Sequence, residues 1–324
     1  MMTMPKNQDL VRRLAETIEL DDVGRVVICF GALFTVYFHD GWRRDRREAV
    51  LTCFEEFESR YGTQLNWWVT EGGRPSPTAK LVNRNMSTYL LSDRFGASGS
   101  EMNWAFRWHG GRTEADASPM RIEGFGASAV DCQTLDALSY LSVVVPLPQQ
   151  PTEFDEFVAL ARRWSERVNG FHGYGGAALV ESPDSSVASR HEGRCRHFLQ
   201  RHAGLELDLP LQHALWTKAG IKGANSITVL SSQLVEQVGG SDTLVSTLGS
   251  QCRVLSLATG GVLIATKELE IGDSYSHVRT PTIGLVSGVL RPIRIKVHPS
   301  VRRSPAGMDR TSFESWLARF DATV

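Results

Sequence analysis

The stretch SRHEGRCRHFLQRHAG (189–204) holds a dense set of metal-capable side chains: His191, Cys195, His197 and His202. On a helix, His191 and Cys195 lie four residues apart and share a face, where an imidazole and a thiolate could meet one ion. At about 1.5 Å rise per residue, His202 sits about 10 Å beyond Cys195 along the axis. Zinc–ligand bonds are about 2 Å, so one helix cannot gather the set. The expectation is partly buried imidazoles near arginines, with no metal. A second cluster, ATKELEIGD (265–273), supplies Lys267, Glu268, Glu270 and Asp273. Metal-assisted phosphodiester hydrolysis needs two or three acids and a lysine around a divalent ion. Strand alternation would set Glu268 and Glu270 on one face, which is equally the pattern of a solvated strand. A metal-assisted hydrolase is therefore the alternative reading.

Other catalytic patterns do not form. HGYGGAAL and ATGGVL carry glycines without the Gly-Lys-Ser/Thr or dinucleotide-binding spacing. GFGASAV and GLVSG both miss the nucleophile elbow. No catalytic residue, cofactor or metal ligand is assigned, and the chain reads as a non-enzyme. Arginines 43, 44, 46 and 47 raise the question of phosphate binding. Against it, 35 basic and 36 acidic side chains leave a formal charge of −1, where a nucleic-acid binder would usually be basic. The segment 43–60 itself is balanced, with Arg44–Glu48 and Glu56–Arg60 placed to pair at i,i+4. Arg43, Arg44 and Arg47 are expected on the solvated side of a helix, with neither nucleic acid nor a membrane as partner.

The elements that must position these groups follow from periodicity. Residues 7–20 place Leu10, Leu14, Thr17 and Ile18 at helical spacing. The run VVICFGALFTVYF (26–38) reads as a central strand. Asp40 is placed to cap a helix whose inner stripe is Val50, Phe54, Phe57 and Tyr61, closed by Gly62. LNWWVT reads as a strand and 78–91 as a helix with Leu81, Met86 and Leu90 inside. EMNWAFRWH and SPMRIEGFGASAV form a hairpin around GGRTEADASP, and ALSYLSVVVPLP is a further strand. PLPQQP is the candidate linker, which would divide one domain, 1–324, into 1–145 and 152–324. Thr152 then caps a helix burying Phe154, Phe157, Leu160, Ala161 and Trp164. Cys195, Phe198, Leu199 and His202 face inward from the next helix. Strands at 226–231 and 252–266 and a helix near 241–248 follow. The last helix has a Thr311/Glu314 capping box and a stripe of Phe313, Trp316, Leu317 and Phe320. The fold class is α/β (α+β mixed), with β-sheets flanked by amphipathic helices and possibly two similar halves, since a strand followed by an arginine-studded helix occurs twice.

Five scattered cysteines without a CxxC indicate reduced, buried thiols, as in a cytoplasmic protein. No secretory signal or membrane span is read. The phrases HGYGGAAL, IKGANSITVLS, EQVGG, IGDSYS, LRPIRIKVH and WLARFD stand in order in the second half, after YFHDG and RRDRREAVLTCFEEFESRYG in the first. Together they resemble the type VI secretion immunity family associated with VRR-NUC nuclease effectors, from about residue 24 to 321. Thr266, Lys267, Leu269 and Tyr275 depart from the family pattern around 263–275. The resemblance implies a non-catalytic, cytoplasmic bacterial antitoxin. It would bind a cognate toxin, encoded by a neighbouring gene, and block its active site or substrate groove. Charge and loop position single out Glu114, Asp116, Glu268, Glu270 and Asp273 as candidate partner-binding residues, because a nuclease groove is typically basic.

Overall fold

The apolar run 26–38 becomes the longest strand and lies in the middle of a single broad sheet. In the computed structural model, which describes residues 7–78, 86–95, 102–207, 209–296 and 305–321, the strands are β1 (Glu19–Leu20), β2 (Val26–Phe38), β3 (Trp67–Thr70), β4 (Ser76–Pro77), β5 (Trp104–His109), β6 (Arg121–Gly126), β7 (Ser139–Val145), β8 (His172–Glu181), β9 (Glu206–Leu207), β10 (Ile227–Leu230), β11 (Arg253–Ser256) and β12 (Val262–Ala265). The order along the sheet is β11-β12-β10-β8-β2-β7-β6-β5-β3-β4, with β1 added to β2 and β9 to β8. Neighbours are antiparallel except β8 and β9. Strands from both sides of the proline stretch thus share one sheet, and β2 joins β7 to β8.

Alternation along β2 divides the core in two. Phe30, Phe34 and Phe38 face one side, and Cys29, Leu33 and Tyr37 the other. The first side is covered by α1 (Asn7–Glu16), α2 (Arg44–Tyr61), α3 (Met86–Leu90), α5 (Pro151–Val168), α7 (Glu192–Arg201) and α12 (Arg310–Leu317). The second side receives α8 (Pro210–Trp216), α9 (Ser232–Gln237), α10 (Ser241–Leu248) and α11 (Pro281–Leu290). The short helices α4 (Ala129–Leu135) and α6 (Ser185–Ser189) follow β6 and β8. The mixed α/β class, with amphipathic helices on the sheet, is as the periodicity predicts. The stripes of α2, α5 and α12 are buried as expected, with Tyr61 half-buried.

Several local expectations need correction. Arg47 is 2% exposed, not on the solvated side: its guanidinium donates to the carbonyls of Trp42, Leu90 and Ser92. Asp40 does not cap α2; it takes a left-handed conformation (φ 58°) in the preceding turn, and Arg43 is the capping residue. Arg44 pairs with Glu48 at 3.0 Å as predicted, but Glu56 turns to Arg163 and Arg167 on α5, and Arg60 to Glu156. Tertiary partners outcompete helical neighbours here because α2 and α5 pack together. Gln150, with Glu153, caps α5 in place of Thr152, since Pro151 occupies the first helical position. Asp309 caps α12 in place of Thr311. Ile18 lies beyond α1 and is 55% exposed. The run 252–266 breaks at Gly260 (φ 83°) into the hairpin β11–β12. PLPQQP is packed, with Leu147 and Pro148 buried. Leu81, Val297 and His298 lie outside the described residues.

The recurrence of a strand followed by an arginine-studded helix is present as β2–α2 and β8–α7. The halves are wired differently, however. Beside β2 stands β7, the last strand before the proline stretch, whereas beside β8 stands β10, an earlier strand of its half.

Candidate functional site

The acidic candidates divide by exposure. Glu114 and Glu268 are exposed. Asp116 is 1% exposed and serves its own loop, accepting from the backbone N–H of Val26 at 2.9 Å and of Thr113 at 2.8 Å. Glu270 is 7% exposed and accepts from the N–H groups of Thr282 and Ile283, capping the start of α11. Asp273 is 1% exposed and gripped by Arg201 through two hydrogen bonds of 3.0–3.1 Å. Burial pushes the Asp273 carboxyl up, but Arg201, Ser276 and the Tyr275 N–H outweigh it and hold the group far below the usual carboxylate range. Residues 266–270 form no strand, and Glu268 and Glu270 do not share a face: one meets solvent, the other α11. Lys267 donates to the Ser250 carbonyl. The hydrolase reading needed these carboxylates to converge on one ion, and each is directed elsewhere.

The histidine and cysteine helix also disperses. The Cys195 thiol donates to Glu181 at 3.2 Å, and burial raises its pKa strongly. The buried His202 hydrogen-bonds the Gly272 carbonyl at 2.8 Å, while His197 meets the Tyr275 ring. Burial raises the other thiols too, Cys29 and Cys53 to about 12 and Cys132 and Cys252 to about 11. None is a thiolate near neutral pH, so none is an activated nucleophile.

The face of β5 and β6 turned away from the first core is only partly covered and carries two clefts. Trp104, Phe106 and Trp108 of β5 enter the first core, so Arg107 and His109 project from the opposite face. There Arg107 pairs with the buried Glu123 of β6 at 2.6 Å. Arg121 stands on the same face, since Ile122 between it and Glu123 belongs to the first core. Burial raises the Glu123 carboxyl, but the two arginines outweigh it and keep the group below its ordinary range. Burial, reinforced by the same arginines, lowers His109 to about 4. Two clefts of about 310 and 370 Å³ share Arg107, Pro183 and Ser185 in their walls; Tyr140 and Leu211 line the first, Trp68 and Glu114 the second. This surface can hold polar groups by charge and shape. Sequence reasoning missed it, although Arg107 and Glu123 were visible as charges at alternate positions of apolar strands.

A second polar assembly, also missed, is internal. Lys222 donates to Glu206 at 2.8 Å and lies 3.7 Å from the Tyr174 ring centroid, and Asn225 donates to the other carboxylate oxygen of Glu206. Tyr174 continues to Tyr37 and His213, and His172 to Thr217. Lys222 and Asn225 lie within IKGANSITVLS and Tyr174 within HGYGGAAL, so these phrases carry core structure.

Among the described residues no helix is long and apolar enough to cross a membrane. The solved structure of the Pseudomonas aeruginosa T6SS protein PA0821 is similar, with a TM-score of 0.81, 22% identity, and coverage of 96% of this chain and 90% of that one. At that identity the likeness shows the fold. No curated protein matches the sequence. The model of the family TsiV, type VI immunity for VRR-NUC, matches residues 49–320, most of the chain, and the chain belongs to that family.

Proposed function

We propose that this chain is an antitoxin that binds a cognate VRR-NUC nuclease effector of a type VI secretion system and holds it off its nucleic-acid substrate. The observation that carries the reading is the family match over residues 49–320. The chemistry of the described residues supports it. The thiols are protonated, His109 and His172 are held neutral by burial, and Glu270 and Asp273 serve as a cap and an ion-pair partner. The fold spends its polar groups on its own architecture and offers surfaces instead of a reaction centre. The antitoxin acts in the cytoplasm, where the nucleic acid to be protected lies. Occupying the nuclease groove is the simplest means of inhibition, because macromolecular substrates need a long open surface that a bound protein can cover. Of the acidic candidates, the exposed Glu114 and Glu268 would touch such a partner, and the buried Asp116, Glu270 and Asp273 would support their loops from behind.

Co-expression tests this directly. A VRR-NUC effector encoded beside this gene should kill cells alone and spare them when this chain is present. The purified pair should elute as one complex without nuclease activity. Survival independent of this chain, or separate elution of the two proteins, would refute the reading.

A further inference from the structure

Arg121 stands on β6 between His109 of β5 and Val144 of β7. Val144 belongs to the second core, so the Arg121 side chain rises from the same side of the sheet as Glu123, two residues along. It lines the cleft of about 310 Å³, whose other boundary is formed by Pro183 and Ser185 after β8 and by Leu211 and Gln212 of α8. Four charged side chains reach this cleft: Arg107, Arg121, Glu123 and Glu181. Three of them are engaged. Arg107 pairs with Glu123 at 2.6 Å, and Glu181 accepts from the Cys195 thiol at 3.2 Å. Arg121 takes part in no hydrogen bond or ion pair among the described residues, and its Nε–H is shut away from water without an acceptor. In the adjoining cleft, Asp184 caps α6, His109 is neutral and Glu114 stands in solvent.

A guanidinium keeps its proton at any ordinary pH, so Arg121 is always a cation. Half-buried, it has lost part of its hydration and receives no partner from the fold in return. The group Arg107, Glu123 and Arg121 carries one surplus positive charge, and its unspent donors are those of Arg121. Glu181 does not cancel that surplus. It belongs to β8, three strands from β6 in the sheet, or about 14 Å at the usual strand spacing. A guest with one negative charge and two coplanar oxygens matches both the surplus and the planar fork of arginine. A cation would meet Arg121 and find Glu123 already held by Arg107. A phosphate dianion would bring a second negative charge beside Glu123. The volume is at the low end for ligand pockets, enough for one side chain or one small acid.

We propose that this cleft receives a carboxylate, carried by an acidic side chain of a bound protein or by a small free acid, with the Arg121 guanidinium as its main contact. The site itself does not depend on the immunity reading. On that reading, the carboxylate belongs to an Asp or Glu of the effector and anchors it to the β5–β6 face.

The test follows the Arg121 Nε–H resonance of the full chain by NMR at pH 7 during titration with glutarate. Glutaramide serves as the uncharged counterpart, and sodium chloride as a control for ionic strength. Glutarate should shift the resonance saturably, with half-saturation at about 1–10 mM, and the two controls should not. Arg121→Gln should weaken glutarate binding, read by calorimetry, about 10-fold or more. Ser185→Trp fills a wall of the cleft, leaves every charge in place and should have the same effect. Arg12→Gln, at an exposed position of α1 on the other side of the sheet, should change it less than about twofold. Titration of the neighbouring VRR-NUC protein then separates the two sources. Loss of affinity of about 10-fold in both Arg121→Gln and Ser185→Trp assigns the carboxylate to the effector. Unchanged affinity, with the glutarate response intact, assigns it to a small acid. No saturable response at Arg121, a response shared by glutaramide or retained in Ser185→Trp, or an equal response at the exposed Arg12 would overturn the site. Failure of the parent chain to bind the effector, while Arg121 still answers to glutarate, would overturn the immunity reading alone.

Discussion

The Lys222 ammonium lies 2.8 Å from a Glu206 oxygen, and each side chain is only 3% exposed. Both charges have left water, a cost that only close pairing and full hydrogen bonding can offset. Glu206 also accepts from Asn225 and from its neighbour Leu207, and Arg319 is close enough to feel its charge. The carboxylate therefore balances two cations.

This arrangement predicts an asymmetry. Lys222→Met leaves Glu206 with the Arg319 field and two N–H donors, whereas Glu206→Gln strands two buried or half-buried cations. Lys222→Met should cost about 3 kcal/mol and Glu206→Gln about 5 kcal/mol in urea unfolding. The double substitution should cost less than the sum of the two. Equal or additive losses would show that the pair is not the balancing unit.

Arg47 should behave as a structural residue, unlike its neighbours. Arg47→Met strands the carbonyls of Leu90 and Ser92 and loosens the contact with the Phe95 ring. A loss of about 2–4 kcal/mol is expected. Arg44→Ala, which removes an exposed pair with Glu48, should change stability by about 0.5 kcal/mol or less. Thermal unfolding of the two variants checks this, and similar effects would count against the buried role of Arg47.

The contrast between Arg44 and Arg47 also shows what the sequence could convey. Strand and helix periods are local properties, so β2, the stripes of α2 and α5 and the β5–β6 hairpin were legible from residue types alone. The i,i+4 pair Arg44–Glu48 was legible for the same reason. Arg47 was not, because its partners Leu90 and Ser92 are more than forty residues away. Among the site candidates, Glu114 and Glu268 are exposed, as charges in loop segments usually are. Asp116, Glu270 and Asp273 have the same local composition, yet are drawn inward by Val26, α11 and Arg201.

Acid should destabilise the fold well before carboxylates titrate in bulk. His109 and His172 are lowered by burial from 6.5 to about 4 and about 3, so they are neutral in the native state and take protons in the unfolded chain below about pH 6.5. The unfolded state then binds more protons, and stability falls as pH falls from about 6.5 towards 4 for His109 and 3 for His172, by up to about 1.4 kcal/mol per unit for each group. The depressed carboxyls of Glu123 and Asp273 act in the same direction at lower pH, since their stabilisation is present above the unfolded pKa and lost as pH falls through the folded one. Urea midpoints at pH 7, 5.5 and 4.5 should fall monotonically, and His172→Gln should flatten the upper part of the slope. A midpoint unchanged between pH 7 and 5 would contradict the buried neutral state of both imidazoles.

The glycines of HGYGGAAL are set by close packing, Gly175 against β2 and Gly176 against the network of the same ion pair. A Cβ on Gly175 would lie 2.7 Å from the Leu33 carbonyl of β2, closer than real contacts allow. A Cβ on Gly176 would collide with the Asn225 amide, whose nitrogen holds Glu206. Gly176→Ala must therefore displace Asn225, loosening the carboxylate that balances Lys222 and Arg319. By this route a single methyl group should cost about 2–3 kcal/mol, near the upper range for overpacking. Asn225→Ala should cost a similar amount by itself. In the background of Asn225→Ala, where the obstructing amide is gone, Gly176→Ala should add less than about 1 kcal/mol. Full additivity in that double-mutant cycle would show that the glycine is required by something other than the Asn225–Glu206 contact.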